Sequence, residues 1–271
     1  MADALAAVRA AAARLTESDT PRLDAELLMA HALGIAREAL LLGPERVVPP
    51  GFDALVARRE AGEPVAYIVR SRDFWDMTLG VTPDVLIPRP DSETLIEAAI
   101  DHFAGTPGPA RVLDLGTGSG ALLLAALRVW PDASGVGIDR SEAALAVAAV
   151  NAAALGLGAR TAFLVGGWEG TGQQFDLLLC NPPYIATGEA LPRDVAAFEP
   201  SGALWAGEDG LDAYRALAPS LASQLATGGA GFIEVGVGQA GDVVTILADS
   251  GLAASARSDL AGIARCLIVR R

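Results

Sequence analysis

The sequence contains no lysine, and all 20 of its basic residues are arginine. The absence of lysine excludes Schiff-base catalysis and the phosphate-binding lysine of a P-loop. Histidine is also scarce, and the chain has two copies, His31 and His102. They are too few and too widely separated for a metal site of histidine and cysteine ligands. The sequence therefore predicts a protein that uses neither lysine chemistry nor a metal ion.

Cysteine is also scarce, and its two copies lie in apolar stretches of strand length. Two such thiols do not indicate a disulfide framework. We predict that Cys180 and Cys266 are small buried side chains.

Positive charge is in short supply overall, since the 271 residues carry a formal net charge of −13. This balance argues against wide, sequence-independent binding to nucleic-acid phosphates, but it allows a protein partner with a basic patch. Long apolar runs are missing as well: no stretch of about 18 uninterrupted apolar residues occurs, and no signal peptide opens the chain. We predict a soluble, cytosolic protein whose length allows one or two domains.

Residues 1–63 predict a small helical domain. Apolar residues at helical spacing indicate one amphipathic helix over residues 5–15 and a second over residues 23–33, which Gly34 would end. A further helix is predicted over residues 52–60, after two prolines and a glycine. No alternating pattern typical of a strand occurs in this part of the chain.

Residues 64–90 predict a β-hairpin linker. The stretches 65–69 and 74–81 are rich in β-forming residues, and glycine and proline interrupt them. Either Asp91 or Ser92 can cap the helix that follows.

Within this linker, residues 87–90 read Ile-Pro-Arg-Pro. Two prolines in four residues make the segment stiff. It is either a rigid connection between domains or a wall of a substrate pocket, and spacing alone leaves both open.

From residue 91 onward, predicted strands and helices alternate. Alternation at this spacing indicates βαβ units and a parallel sheet with helices on both faces. The last two strands follow each other without a helix, so we predict that one of them runs antiparallel at the edge of the sheet. The predicted strands are residues 111–115, 136–139, 161–165, 177–180, 232–235, 253–259 and 263–269, and the predicted helices are residues 121–129, 141–155, 212–226 and 239–249.

A glycine-rich turn follows the first of these strands and opens a helix. Gly116, Gly118 and Gly120 permit positive φ and let a ligand approach the backbone closely. The third glycine comes one residue too early for the Gly-x-Gly-x-x-Gly turn of a dinucleotide fold. Asp114, just before the turn, would repel a pyrophosphate but suits the ammonium of an amino-acid tail. The turn therefore favours S-adenosylmethionine over a nicotinamide cofactor.

Two further residues are candidates for the same ligand. Asp139 ends the second strand of this region, where a carboxylate can accept both ribose hydroxyls. The alternative for Asp139 is a helix cap, although Ser141 can supply the cap itself. Trp168 follows the third strand and either packs against an adenine face or belongs to the core.

The apolar strand 177–180 stops at Asn181, which two prolines and Tyr184 follow. Proline cannot donate a backbone hydrogen bond, so the strand must end there. The Asn181 side-chain oxygen and the Pro182 carbonyl can each accept one proton of an amino group, and Tyr184 offers a ring for stacking. The motif resembles that of amino-group methyltransferases, which act on adenine, guanine or glutamine amides with S-adenosylmethionine. The alternative is a rigid turn with a packed tyrosine.

Taken together, these segments resemble the HemK/PrmC family, the glutamine N5-methyltransferases that modify peptide-chain release factors. The resemblance covers nearly the whole chain, and Ile-Pro-Arg-Pro together with the helical domain is its most specific part. The matching segments, in chain order, are Leu23-Asp-Ala-Glu-Leu-Leu, Glu63-Pro-Val-Ala-Tyr-Ile, Leu86-Ile-Pro-Arg-Pro-Asp-Ser-Glu93, Leu113-Asp-Leu-Gly-Thr-Gly-Ser-Gly, Asp139-Arg-Ser, Asn181-Pro-Pro-Tyr-Ile, Phe198-Glu-Pro, Ala203-Leu and Gly207-Glu-Asp-Gly-Leu.

The resemblance implies the class I S-adenosylmethionine-dependent methyltransferase fold for residues 91–271, with a mostly parallel seven-stranded sheet and helices on both faces. It implies release-factor docking for residues 1–63. The implied reaction is methyl transfer from S-adenosylmethionine to the glutamine of the Gly-Gly-Gln motif in class I release factors. We also predict a monomer that makes no direct contact with nucleic acid and no contact with a membrane.

Site residues follow from the same resemblance by position. The cofactor-binding residues would be Gly116, Thr117, Gly118, Ser119, Gly120, Asp139, Trp168 and Asn181. The substrate-binding residues would be Asn181, Pro182, Pro183 and Tyr184, with Asn181, Pro182 and Tyr184 catalytic.

One position departs from the family, which usually has glycine where this chain has Arg70. The departure concerns the turn before Phe74 and release-factor docking, and it leaves the chemistry unchanged. Three other functions stay open on the sequence: a glutamine methyltransferase for a ribosomal protein, a methyltransferase for adenine or guanine amino groups in nucleic acid, and a non-catalytic binding module.

Overall fold

The computed structural model describes residues 3–259 and 261–271. The chain divides into two compact units. The first contains the chain through Ser71 together with the segment Leu191–Phe198, and the second contains Arg72–Ala190 and Glu199–Arg271.

The helices occur in both units. They are α1 (Ala4–Arg14), α2 (Pro21–Leu33), α3 (Arg37–Leu42), α4 (Phe52–Glu60), α5 (Val65–Val69), α6 (Glu93–Phe103), α7 (Ala121–Val129), α8 (Glu142–Ala154), α9 (Arg193–Phe198), α10 (Asp212–Gln224) and α11 (Ala240–Asp249).

The first unit is helical, as predicted for the N-terminal part of the chain. It consists of α1 to α5 and α9. Helix α4 has the predicted bounds, and Gly34 ends α2 in the left-handed conformation at φ 65°. Helices α3 and α9 were not predicted, because six residues are too few for a helical period to be visible in sequence.

The expected β-structure over residues 65–69 is wrong, because this stretch forms helix α5. Tyr67 and Ile68 are both 3% exposed. The β preference of this apolar run reflects side-chain packing more than backbone geometry, so burial in a helical core overrides it. The predicted hairpin lies just after it, formed by β1 (Ser71–Phe74) and β2 (Met77–Gly80).

Arg70, the residue that departs from the family pattern, ends α5 in the left-handed conformation at φ 58°. Glycine adopts this conformation without steric cost, whereas other L-residues do not. The usual glycine therefore has a backbone reason, and arginine at this position is strained.

We expect Arg70→Gly to raise the free energy of unfolding by about 0.5–1 kcal/mol, because it relieves this strain. Differential scanning calorimetry of the full chain would show a melting temperature higher by about 2–4 °C. Arg70→Ala is the matched control, since it removes the exposed side chain but keeps a β-carbon. Equal melting temperatures for the glycine and alanine variants would show that backbone strain is not the cause.

The second unit is built on a seven-stranded sheet in the order β5-β4-β3-β6-β7-β9-β8. Its strands are β3 (Arg111–Leu115), β4 (Ser134–Asp139), β5 (Thr161–Val165), β6 (Phe175–Cys180), β7 (Leu225–Glu234), β8 (Ala253–Ser258) and β9 (Ala264–Arg270).

The position of the antiparallel strand corrects the prediction. Strand β9 pairs antiparallel with both β7 and β8, so the reversed strand lies one place inside the edge rather than at it. The burial of the strands explains the order: Cys266 and Leu267 of β9 are 0% exposed, whereas β8 is largely exposed. An apolar strand gains more free energy than a polar one from a place between two neighbours.

Alternate side chains of the sheet face two separate cores. Leu177 and Leu179 of β6 pack in one apolar cluster, and Leu178 and Cys180 pack in the other. Helices therefore cover both faces, as predicted. Cys180 and Cys266 are free and buried, which confirms their predicted role.

The pairing of the central strands positions the functional residues. Leu115 at the end of β3 pairs with Ile138 of β4 on one side and with Cys180 of β6 on the other. The next residues along the three strands, Gly116, Asp139 and Asn181, therefore meet at the carboxyl edge of the sheet, where α/β proteins bind ligands. Among the helices of the described residues, none has the length and apolar character needed to cross a membrane.

Candidate active site

The glycine turn after β3 has the backbone geometry that its sequence predicts. Gly116, Gly118 and Gly120 have φ values of 72°, 54° and 83°. The amides of Gly116 and Thr117 both donate to the Ile138 carbonyl at 2.9 Å, which fixes the turn against β4. Four of the five residues of the turn line one cavity of the second unit; Gly120 instead caps α7.

Asp114 lies beneath this turn and is 1% exposed. Its Oδ2 accepts a hydrogen bond from the Thr117 hydroxyl at 2.6 Å, while its Oδ1 has no partner. Burial raises the pKa of Asp114 to about 7. An unsatisfied, desolvated carboxylate oxygen in a cavity wall is costly and fits a ligand that brings a cation or a hydrogen-bond donor. The ammonium of an amino-acid tail meets that requirement.

Asp139 at the end of β4 is half-buried and lines the same cavity. Its Oδ2 accepts from the Gly118 amide at 3.0 Å and its Oδ1 from the Ser141 amide at 2.9 Å. Ser141 caps α8 through the Ala144 amide, so Asp139 is not needed as the cap. A carboxylate has about four acceptor positions, so Asp139 retains the capacity to bind ribose hydroxyls.

Trp168 lines the same cavity beside the glycine turn. A β-carbon at Gly116 would lie 3.5 Å from the indole, which shows how closely the ring covers the turn. The Trp168 carbonyl accepts hydrogen bonds from the Ser220 hydroxyl at 2.6 Å and the Gln224 amide at 3.3 Å. Helix α10 thus fixes the backbone at Trp168, and the ring both lines the cavity and packs against the core.

We expect Trp168→Ala to weaken the binding of the methyl donor S-adenosylmethionine about tenfold. Stacking of the adenine on the indole contributes about 0.5–1.5 kcal/mol beyond area burial. Calorimetric titration would measure the loss. Donor binding should also change the intrinsic fluorescence, and Trp168→Phe should remove most of that change. Trp130→Phe is the control, since Trp130 packs on Phe103 outside the cavity lining. An unchanged fluorescence response in Trp168→Phe would place the adenine elsewhere.

The Asn181 corner, residues 181–184, follows β6 directly. Asn181 and Pro183 line the cavity that the glycine turn and Trp168 also line. Pro182 is buried and Tyr184 is partly buried, and neither is part of the cavity lining. The Tyr184 carbonyl accepts a hydrogen bond from the Gln239 amide at 2.9 Å, which fixes the far end of the corner. Burial raises the pKa of the Tyr184 hydroxyl to about 12, so the ring is neutral.

Two polar residues next to the corner, Ser92 and Glu234, were not predicted as site residues, and Ser92 lines the cavity with Asn181. Ser92 stands at the N-cap position of α6, which is one of the two predicted alternatives, but its side chain makes no capping hydrogen bond. Its hydroxyl instead donates to Glu234 Oε2 at 2.5 Å and accepts from Asn181 Nδ2 at 3.0 Å. Glu234, at the end of β7, is 1% exposed. An isolated glutamate after an apolar run was the only available signal for it.

Residues 87–90 form a wall of the cavity rather than a plain linker. Pro88 and Arg89 line the cavity together with Asn181. The buried carboxylate of Glu199 fixes the segment: it accepts from the Ile87 amide at 3.3 Å and from the Arg89 guanidinium at 2.5 Å. The structure therefore places this segment in the wall of the cavity, and substrate binding beside it stays a prediction.

Comparison with known proteins bears on the identity of this site. The family described as PrmC N-terminal domain matches residues 6–69, and the family described as Methyltransferase domain matches residues 109–220. The release factor glutamine methyltransferase of Rhodospirillum rubrum is 47% identical over 261 residues, which cover 93% of this chain and 80% of that protein. The chain belongs to the release factor glutamine methyltransferase family.

Other members of this glutamine methyltransferase family match to a similar extent. The release factor glutamine methyltransferase of Bradyrhizobium diazoefficiens is 41% identical, over 98% of this chain and 92% of that protein. Among solved structures, the ribosomal protein L11 methylase of Lactobacillus delbrueckii subsp. bulgaricus superposes with a TM-score of 0.52 at 21% identity, over 70% of this chain and 83% of that one. This likeness shows the methyltransferase fold.

Proposed function

We propose that this chain transfers the methyl group of S-adenosylmethionine to the side-chain amide nitrogen, N5, of the glutamine in the Gly-Gly-Gln motif of class I peptide-chain release factors. The observation that carries the proposal is that Asn181 lines the same cavity as the glycine turn, Asp139 and Trp168. On this proposal, the site for a planar amide and the site for a nucleoside with an amino-acid tail share one cavity.

The residues of the donor site fit S-adenosylmethionine. Asp114 offers its unpartnered oxygen to the ammonium, directly or through water, and Asp139 offers acceptors to the ribose. The glycine turn leaves room for close approach, and Trp168 offers a face to the adenine. When bound, S-adenosylmethionine supplies an electrophilic methyl group on a sulfonium sulfur.

The Asn181 corner would act on the acceptor. The lone pair of an amide nitrogen is delocalised, so glutamine is a poor nucleophile. If Asn181 Oδ1 and the Pro182 carbonyl each accept one N–H, they orient the nitrogen and favour positive charge on it as the bond to carbon forms. The N–C bond would form as the C–S bond breaks, which leaves S-adenosylhomocysteine, and one amide proton would pass to water. Orientation of this kind can supply a large part of the rate enhancement.

The test is a methyl-transfer assay with labelled S-adenosylmethionine and four acceptors offered in parallel. These are a class I release factor, ribosomal proteins, RNA and DNA. The proposal predicts label in the release factor, removed when its Gly-Gly-Gln glutamine is replaced by alanine. Label confined to ribosomal protein or nucleic acid would instead support one of the other acceptors that the motif allows.

We propose further that the helical first unit docks the release factor, and that the enzyme works as a cytoplasmic monomer without direct contact to nucleic acid. The match of residues 6–69 to the PrmC N-terminal domain supports the docking role. Hydrogen–deuterium exchange on the full chain should show release-factor-dependent protection in α1 to α4. Light scattering should give the mass of one chain.

A further inference from the structure

The side-chain amide of Asn181 can adopt two orientations, and the shape of the residue does not favour either of them. A carboxamide has nearly the same shape when it is rotated by 180°, but the rotation exchanges its acceptor oxygen and its donor nitrogen. Asn181 can accept an N–H from the substrate only in the orientation in which its side-chain oxygen faces the substrate. A neighbouring residue must therefore fix this orientation.

Ser92 contacts the nitrogen end of this amide. Its hydroxyl lies 3.0 Å from Asn181 Nδ2 and 2.5 Å from Glu234 Oε2. A hydroxyl has one proton, and a carboxylate accepts hydrogen bonds but does not donate them. Ser92 must therefore donate to ionised Glu234, which leaves its lone pairs for the amide N–H of Asn181. Ser92 is 4% exposed, so bulk water has little access to either bond.

Glu234 is itself fixed in place. Strand β7, which it ends, pairs with β6, from which the Asn181 corner extends. The Glu234 carbonyl accepts a hydrogen bond from the Tyr214 hydroxyl at 3.0 Å, and its side chain lies 3.5 Å from the Tyr184 hydroxyl. The carboxylate is therefore held by the sheet and by its neighbours rather than by a mobile loop.

From this geometry we propose that Ser92 and Glu234 are positioning residues, which select the orientation of the Asn181 amide in which its oxygen faces the substrate. The proposal rests on the function proposed above and adds two residues that act through Asn181. Ser92 lines the cavity beside Asn181, whereas Glu234 lies outside the lining. Glu234 fixes the direction of the Ser92 hydroxyl, and Ser92 fixes the direction of the amide.

The chain of hydrogen bonds also implies a dependence on pH. Burial raises the pKa of Glu234 to about 7. The ionisable groups that act on it or are influenced by it are Arg265, which favours the carboxylate, and Asp91, Tyr184, Tyr214, Cys180 and Cys266. Below about pH 7 Glu234 carries a proton and can donate to Ser92. Ser92 can then donate to Asn181, which favours the reversed amide. The rate at saturating donor should therefore rise with pH up to about 7 and then level off.

The test compares Ser92→Ala, Ser92→Thr and Glu234→Gln in the full-length enzyme. Ser92→Ala should lower kcat about 10–100-fold, the scale expected when a reacting group is misplaced. The affinity for S-adenosylhomocysteine and the melting temperature should stay close to wild type. Ser92→Thr keeps the hydroxyl and should recover most of the rate. Ser223→Ala is the control, since it removes an exposed serine hydroxyl from α10.

Two further readouts distinguish positioning from a structural role. Glu234→Gln cannot ionise, so the rise of kcat below pH 7 should disappear. In an Asn181→Ala background, Ser92→Ala should cause no further loss, because no amide remains to be oriented. The proposal is overturned if Ser92→Ala keeps at least half of the wild-type kcat, if threonine fails to rescue, or if the pH dependence survives in Glu234→Gln.

The wild-type enzyme is assayed on the release factor first, which keeps the two proposals apart. Failure there, with label in another acceptor of the four, overturns the proposed substrate. The same variants are then compared on the acceptor that is methylated, where Ser92 and Glu234 are predicted to have the same effects. Absence of label in all four acceptors would overturn both proposals.

Discussion

Asn181→Ala is expected to lower kcat by about 10²–10³-fold, the range seen when one preorganised hydrogen-bonding group is removed from a transition state. The physical reason is that alanine leaves one proton of the glutamine amide without an acceptor, so the nitrogen is no longer aimed at the methyl group. Steady-state kinetics with saturating donor and release factor would measure the fall.

The loss should appear without unfolding. Asn181 is only partly buried, and the hydrogen bond from its amide goes to Ser92 alone among the described residues. We therefore expect the melting temperature to change little. Gln173→Ala is a suitable control, because it removes an exposed amide that bonds Arg111 away from the cavity lining. Full activity of Asn181→Ala would rule the mechanism out.

Asp114→Asn should have the largest effect on donor binding. It removes the negative charge from a buried position that, on this account, faces the donor ammonium. Loss of one partner of a buried charge pair costs about 2–5 kcal/mol, so the dissociation constant should rise by at least about 30-fold. Isothermal titration calorimetry with S-adenosylmethionine measures this directly, and Asp132→Asn, an exposed acid in a turn, is the matched control.

The same residue predicts how donor binding depends on pH. Because burial raises the pKa of Asp114 to about 7, the carboxylate that attracts an ammonium exists mainly above that pH. The wild-type affinity should fall by up to about tenfold for each pH unit below 7, and Asp114→Asn should abolish this dependence. A folded-state pKa above the unfolded value also means that ionisation of Asp114 destabilises the free protein as pH rises through about 4–7. The asparagine variant should therefore fold. A pH-independent wild-type affinity would contradict the role of Asp114.

Much of this architecture could be predicted because it follows from local patterns. The bounds of β3, α7 and β5 match the prediction, since short apolar strands and glycine turns are visible in sequence. The placement of Gly116, Asp139 and Asn181 at one edge follows from parallel pairing alone, and the structure confirms that placement.

What could not be predicted depends on partners that are distant in sequence. Ser92 has the residue type and position of a helix cap, and its actual partner, Glu234, lies 142 residues away. The position of β9 one place inside the edge likewise depends on a comparison of two strands, since the more apolar β9 is buried and the more polar β8 lies at the edge. Helix α5 formed where β propensity was high because the apolar side chains of that stretch are buried in a helical core.

The most direct test of the central claim is a crystal structure of the enzyme with S-adenosylhomocysteine and a peptide that contains Gly-Gly-Gln. The account predicts that the glutamine amide nitrogen lies within hydrogen-bonding distance of Asn181 Oδ1 and the Pro182 carbonyl, on the side facing the donor sulfur. It also predicts that Asn181 Nδ2 still donates to Ser92. A glutamine bound away from this corner, or an asparagine oxygen turned toward Ser92, would contradict the account.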